Sequence, residues 1–176
     1  MNIELLPLRL NVMELQKELQ NCQGWNLYPL RTQHNRSPHR ECDDIWVRWQ
    51  NTSVRPDGSF DCSWYDVADE LPSAVGLCES LFNIYDGVEM GGVLMTRIPP
   101  GKQVYPHVDG GWHAKYYEKF AIQVKGNRQQ AFCFDSERLS PETGDVFWFR
   151  NDVPHWVIND SDEERITLIC CIRRAH

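Results

Sequence analysis

Lys119-Phe-Ala-Ile-Gln-Val-Lys-Gly-Asn-Arg-Gln-Gln-Ala-Phe-Cys-Phe134 holds two runs of β-type composition around a Gly-Asn pair. Gly and Asn tolerate the positive φ that short hairpin turns require, so the segment predicts a tight hairpin across Lys125-Gly126-Asn127-Arg128. The same pattern continues on both sides of it. Strands are expected at 92–98, 102–105, 119–124, 129–134, 145–149, 156–158 and 165–172. Pro99-Pro100-Gly101, Pro141-Glu-Thr-Gly144 and Asn159-Asp-Ser-Asp162 supply further turns between them. Short strands separated by regular turns point to a β-sandwich or barrel.

Upstream of residue 91 the period changes. Val12, Leu15, Leu19 and Cys22 recur at helical spacing, with Asn11 placed as an N-cap and Glu14 three residues later, so a helix is expected over 11–22. Residues 32–43 are polar and read as a loop, and 44–49 alternate like a half-buried strand. Leu71, Val75, Cys78 and Phe82, with Leu81 widening the face, predict a second helix over 71–85, and Pro72 sits near its start, where a missing N–H costs least. The expected fold class is α+β, mainly β. It is a single unit over 1–176, in which 1–90 supply helical and strand support and 91–174 form the β core, with the helices packed outside.

Composition narrows the function. A formal net charge of -7 argues against a surface built to hold phosphate backbones. Residues 1–19 interleave Glu4, Arg9, Asn11, Glu14 and Lys17 with apolar residues, which is not a secretion signal, and no stretch approaches the ~20 apolar residues that cross a bilayer. The seven cysteines are odd in number and lack a C-x-x-C pair. Reduced thiols in a cytoplasm, mostly small buried hydrophobes, are expected.

The chemistry concentrates in Tyr105-Pro-His-Val-Asp-Gly-Gly-Trp112. His107 and Asp109 stand two apart, and residues i and i+2 of an extended chain share a face. His155, 46 to 48 residues on and ahead of an apolar strand, supplies a third ligand. Two imidazoles and a carboxylate can occupy one face of an octahedral metal, the arrangement of non-haem iron(II) oxygenases, although zinc or manganese also accept these groups. His34, His39, His113 and His176 lack such a pattern. Arg165 follows His155 by ten residues across the turn 159–164, which places the two on neighbouring antiparallel strands facing one cavity. A buried Arg needs an anion, and its planar fork suits a carboxylate such as that of 2-oxoglutarate. Thr167, on the same face, can donate its hydroxyl to the same group. The alternative is a surface Arg165 paired with Glu163 or Glu164. Arg31, Arg36, His39, Arg40, Asp43, Trp46 and Arg48 are candidates for the cavity mouth. Residues 110–117, with Trp112, Tyr116 and Tyr117, form a second possible lid, and ordinary packing explains either set as well.

Taken in order, Pro-Pro-Gly-Lys-Gln-Val-Tyr-Pro-His107, the hairpin from Lys119, Gly144-Asp-Val-Phe-Trp-Phe149, and His155 through Arg165 resemble the 2-oxoglutarate/iron(II) oxygenase superfamily, and within it the aspartyl/asparaginyl β-hydroxylase family. The resemblance runs over roughly residues 91–172. It implies a double-stranded β-helix, a cupin-like jelly roll with the ligands and Arg at its open end. It implies iron(II) held by His107, Asp109 and His155, and 2-oxoglutarate as cosubstrate with Arg165 on its distal carboxylate and Thr96 nearby. The implied reaction uses O₂ to hydroxylate a C–H bond of an amino-acid-like or peptidyl substrate, releasing succinate and CO₂. Animal members can carry Gly where this chain has Asp109. The family often places a His on the strand after the first ligand, where this chain reads Glu118-Lys-Phe-Ala-Ile-Gln123, leaving Lys119 and Gln123 as candidate contacts. Two alternatives remain: a cupin-like metal enzyme that does not use 2-oxoglutarate, and a non-catalytic jelly-roll binding module.

Overall fold

The computed structural model describes residues 1–175, apart from the side chain of Thr52; His176 lies outside the described residues. In chain order the elements are β1 (Ile3–Arg9), α1 (Met13–Asn21), β2 (Asp43–Val54), β3 (Phe60–Trp64), α2 (Pro72–Ile84), β4 (Gly87–Ile98), β5 (Gln103–His107), α3 (Gly111–Tyr116), β6 (Glu118–Lys125), β7 (Gln130–Cys133), β8 (Arg138–Leu139), β9 (Asp145–Phe149), β10 (His155–Asn159) and β11 (Arg165–Arg174), with a 3₁₀ turn at Asp66–Asp69 before α2.

Strands β4 to β11 form a double-stranded β-helix. One sheet runs β1-β9-β6-β11-β4-β2-β3 and the other β5-β10-β7-β8. The alternation of β11 shows how sequence builds the layers. Ile166, Leu168, Cys170 and Ile172 point outward into the core beneath the helices, with Leu15, Leu19, Ala74, Cys78 and Leu81. Arg165, Thr167, Ile169 and Cys171 point inward to line a cavity. A second apolar cluster, including Ile98, Val104, Phe132, Phe147 and Val157, fills the space between the sheets. Each outward-facing apolar side chain taken fully out of water contributes roughly 1.5–3 kcal/mol, so this alternation fixes the register of β11.

Several expectations change. Residues 119–134 are not a hairpin. β6 pairs with β11 and β9, whereas β7 pairs with β10 and β8, so the connection passes from one sheet to the other. Neither Gly126 nor Asn127 has a positive φ. Gly126 is required for another reason: a Cβ there would meet Gln123 Cγ at 2.5 Å and the Pro141 carbonyl oxygen at 2.8 Å. Asn127 Oδ1 accepts from the Gln129 N–H at 3.0 Å, a local turn that needs no left-handed residue. The other turns form where expected. Lys102 N–H donates to the Pro99 carbonyl at 3.1 Å and Asp145 N–H to that of Glu142 at 3.0 Å, and Gly101 and Gly144 adopt φ of 69° and 91°.

The N-terminal half is more than outside support, because β1, β2 and β3 join the larger sheet. Asn11 Oδ1 accepts from Met13 N–H at 3.0 Å, ahead of a helix whose N-cap is Val12, and Glu14 pairs with Lys17 instead of closing a capping box. Pro72 does occupy the first turn of α2. All seven cysteines are free, six of them buried. Among the described residues, no helix is long and apolar enough to cross a membrane.

Candidate active site

The inner faces of the two sheets enclose a cavity of about 490 Å³, a size that accommodates small organic ligands. His107 ends β5 and His155 begins β10, and the two are register partners. Asp109 lies just past the end of β5, held by its N–H to the Asn151 carbonyl at 2.9 Å. Asn151 is itself fixed by a bond from Nδ2 to the Ala114 carbonyl at 2.8 Å. One ligating atom from each of His107, Asp109 and His155 lies within 4.8 Å of the others, close enough for a single metal ion.

The hydrogen bonds set the tautomers. His107 Nδ1 lies 2.8 Å from the Tyr105 carbonyl, and His155 Nδ1 lies 2.9 Å from that of Val153. A carbonyl only accepts, so each Nδ1 carries the proton and each Nε2 presents its lone pair to the cavity. His107 Nε2 stands 3.4 Å from Asp109 Oδ1, a gap that a shared cation would bridge. Burial lowers the pKa of His155 and keeps it neutral. Burial works against ionisation of Asp109, but nearby positive charge, that of Lys119 among it, outweighs it and holds the carboxyl below its ordinary range. The set is therefore ready to bind a cation without first releasing a proton. Phe132 stacks on His155 at 5.5 Å and 12°, and His39 packs edge-on against His107 at 4.6 Å.

Arg165 is 3% exposed and lines the same cavity, with its Nε and Nη2 unpartnered. Burial without a counterion pulls its pKa down to about 10. Pairing with Glu163 or Glu164 does not occur, and Glu164 instead meets Lys125 at 3.5 Å. The expected placement of Arg165 beside His155 on an adjacent strand is corrected as well: β10 and β11 lie in opposite sheets, so the two residues meet across the cavity. Thr96 and Thr167 occupy paired positions on β4 and β11. The Thr167 hydroxyl donates to Gln123 Oε1 at 3.3 Å. Thr96 Oγ1 accepts from Arg31 Nη2 at 2.7 Å, which leaves its own proton free to donate. Gln123 is fully buried, with Nε2 donating to the Lys125 and Ile166 carbonyls.

Of the mouth candidates, Arg31, His39 and Trp46 line the cavity. Arg36 is exposed, Arg40 lies over the Tyr105 ring, Asp43 pairs with Arg97 and Arg48 donates to the Met90 and Gly91 carbonyls. In the second candidate lid, Gly110, His113 and Ala114 reach the cavity, while Tyr116 and Tyr117 turn away to Glu89. Sequence reasoning missed Asn151, whose contacts are to backbone, and the clamp of Arg31 on Asp44, whose two bonds measure 2.7 and 3.0 Å.

Three solved structures with the same fold carry little sequence likeness. A viral collagen prolyl hydroxylase from Paramecium Bursaria Chlorella virus-1, in a complex with 2-oxoglutarate, matches at 14% identity over 100% of this chain and 97% of its own, with a TM-score of 0.56. A Pseudomonas putida prolyl-4-hydroxylase matches at 15% identity over 99% of this chain and 94% of its own, with a TM-score of 0.54. An oxidoreductase of the 2-oxoglutarate-Fe(II) oxygenase family from Burkholderia pseudomallei matches at 12% identity over 76% of this chain and 68% of its own, with a TM-score of 0.54. No curated protein matches the chain. The family model described as aspartyl/asparaginyl beta-hydroxylase matches residues 9–175, nearly the whole chain, and the protein belongs to that family.

Proposed function

We propose that this protein is an iron(II)- and 2-oxoglutarate-dependent dioxygenase that hydroxylates a C–H bond of an amino-acid-like or peptidyl substrate, with succinate and CO₂ as coproducts. The observation that carries the reading is Arg165, a guanidinium buried without a counterion in the cavity onto which His107, Asp109 and His155 open. Burying an unpaired charge is costly, so its persistence in an apolar cavity argues for an anionic ligand that completes it.

His107 and His155 would hold the iron through Nε2 and Asp109 through its carboxylate, a donor set that leaves coordination positions for ligands. Bound together there, iron(II) and 2-oxoglutarate supply the chemistry of the class, in which O₂ and the cosubstrate yield an oxidant able to insert one oxygen atom into a C–H bond. Arg165 would bind the distal carboxylate of 2-oxoglutarate through two parallel hydrogen bonds. Thr96, with its proton free, would serve that carboxylate better than Thr167, whose proton already goes to Gln123. Phe132, Phe147 and Phe149 keep water from the site and strengthen each of these contacts. The unpaired cysteines support a reducing compartment such as the cytoplasm.

The test is anaerobic titration with iron(II) and 2-oxoglutarate. A weak visible metal-to-ligand charge-transfer band that needs both components is expected. Folded protein that binds iron(II) but develops no such band would remove 2-oxoglutarate from the reading.

A further inference from the structure

The cavity carries a second cation towards the opposite end of β11 from Arg165. Cys171 lies six residues along that strand, roughly 20 Å at the usual rise, and its register partner is Lys119 on β6. Lys119 lines the cavity and donates from Nζ to Cys171 Sγ at 3.2 Å. Among the described residues no carboxylate lies within 4 Å of it, whereas Arg31, which lines the same cavity, is neutralised by Asp44. Asp109 is close enough to feel the charge of Lys119, but in the reading above its own charge is directed to the metal. Lys119 is therefore left facing the cavity without an anion of its own.

The wall beside this cation is aromatic. Trp46 and Trp49 contact at 4.5 Å between ring centroids, and Trp49 meets His113 at 4.5 Å. Gly92 makes room for the wall, since a Cβ there would meet the Trp49 ring at 2.5 Å. Trp46 is 8% exposed and its buried Nε1 has no acceptor. Two other polar side chains here already have partners: Arg31 holds Asp44 and Thr96, and His113 Nε2 accepts from the Gly92 N–H at 3.0 Å. A peptide backbone would bring several donors and acceptors and find few partners. A compact acid with an apolar body would bring one anion for Lys119 and one further acceptor for Trp46, and would lay its body on the indoles.

We infer that the substrate is a small carboxylic acid with an apolar body, its carboxylate held by Lys119 and its body seated on Trp46 and Trp49. The inference rests on the dioxygenase reading, because it assigns Arg165 to the cosubstrate and Lys119 to the substrate.

The experiment uses anaerobic protein loaded with iron(II) and 2-oxoglutarate. Phenylacetate and 4-methylpentanoate, their primary amides, and acetyl-aspartyl-methylamide are titrated by tryptophan fluorescence, and the charge-transfer band reports 2-oxoglutarate in parallel. The acids should bind at least about tenfold more tightly than their amides, the equivalent of one charge-assisted hydrogen bond. Lys119→Met should abolish that preference and Lys119→Arg should retain it, with 2-oxoglutarate affinity within about twofold of wild type in both. If Lys119→Met does not fold, Lys119→Gln, which keeps a donor for Cys171, makes the same comparison. Equal binding of acids and amides overturns the inference, as does tighter binding of the aspartyl amide. Loss of the 2-oxoglutarate band in Lys119→Met does so too, by assigning the cation to the cosubstrate. A wild type that forms no band overturns the dioxygenase reading along with it, whereas a normal band with no binding of the acids overturns this inference alone.

Discussion

Two arginines reach one cavity and meet opposite fates. At the mouth, Arg31 leaves the loop before β2 and grips Asp44 with two hydrogen bonds, and a third goes to Thr96. On the floor, Arg165 begins β11 with two unpartnered nitrogens. Burial weakens the hold of both on their protons, but the carboxylate of Asp44 more than restores that of Arg31, whereas Arg165 has nothing comparable. A charge neutralised in place ties loop to sheet. One left open can do its work only when a ligand arrives.

Removing one member from each region should therefore move stability in different directions. Asp44→Ala strands the Arg31 guanidinium and should lower unfolding free energy by about 3 kcal/mol in urea titrations, a loss typical of breaking a buried pair. A cost under about 1 kcal/mol would mean that the clamp is ornamental. Arg165→Met removes an unpaired buried charge, so its melting temperature should equal or exceed that of wild type, while 2-oxoglutarate affinity falls roughly 100-fold with iron(II) binding kept. If Arg165→Met instead unfolds like Asp44→Ala, the floor arginine is structural and the contrast collapses.

Acid probes the aromatic part of the mouth. Burial among Trp49, Tyr117 and Phe60 takes the His113 pKa down to about 3. The unfolded chain then binds a proton that the native chain refuses, so the stabilisation is complete above the ordinary histidine value and is lost as pH falls from there towards 3. His113→Gln can still accept from the Gly92 N–H without titrating. It should lose roughly 2 kcal/mol less than wild type between neutrality and about pH 5. Parallel stability curves would show that His113 is solvated or charged in the native state.

How far these regions were legible in the sequence follows from how local their causes are. The candidate ligand set was visible because His107 and Asp109 stand two apart within one short stretch, and the inward set of β11 because alternation has a period of two. The 119–134 hairpin failed because Gly126 and Asn127 report the need for a turn but not which sheet the next strand joins. β1 escaped because Ile3 to Leu10 mixes apolar and polar residues around Pro7, a composition tolerated at the sheet edge, where among the described residues β1 pairs only with β9. The Lys119–Cys171 contact spans 52 positions and Arg31–Thr96 spans 65. No spacing rule reaches so far, so which arginine is neutralised and which is open could only be read from the fold.

Thr167 gives the smallest and most discriminating comparison, because it lies on the floor with Arg165 but resembles Arg31 in having a partner already. Its hydroxyl donates to Gln123 Oε1, and Gln123 is buried with both of its Nε2 bonds inside the sheet. Thr167→Val keeps the shape but leaves that oxygen without a donor, which should cost about 1 kcal/mol in stability. If the Thr167 proton belongs to Gln123, 2-oxoglutarate affinity should fall less than about threefold, whereas the corresponding Thr96→Val should weaken it by about tenfold. The reverse order would mean that ligand binding turns the Thr167 hydroxyl away from Gln123 and onto the cosubstrate carboxylate. Donors on the floor would then be redistributed when the cavity fills, and the partnerships of the empty cavity would not mark which groups serve the ligand.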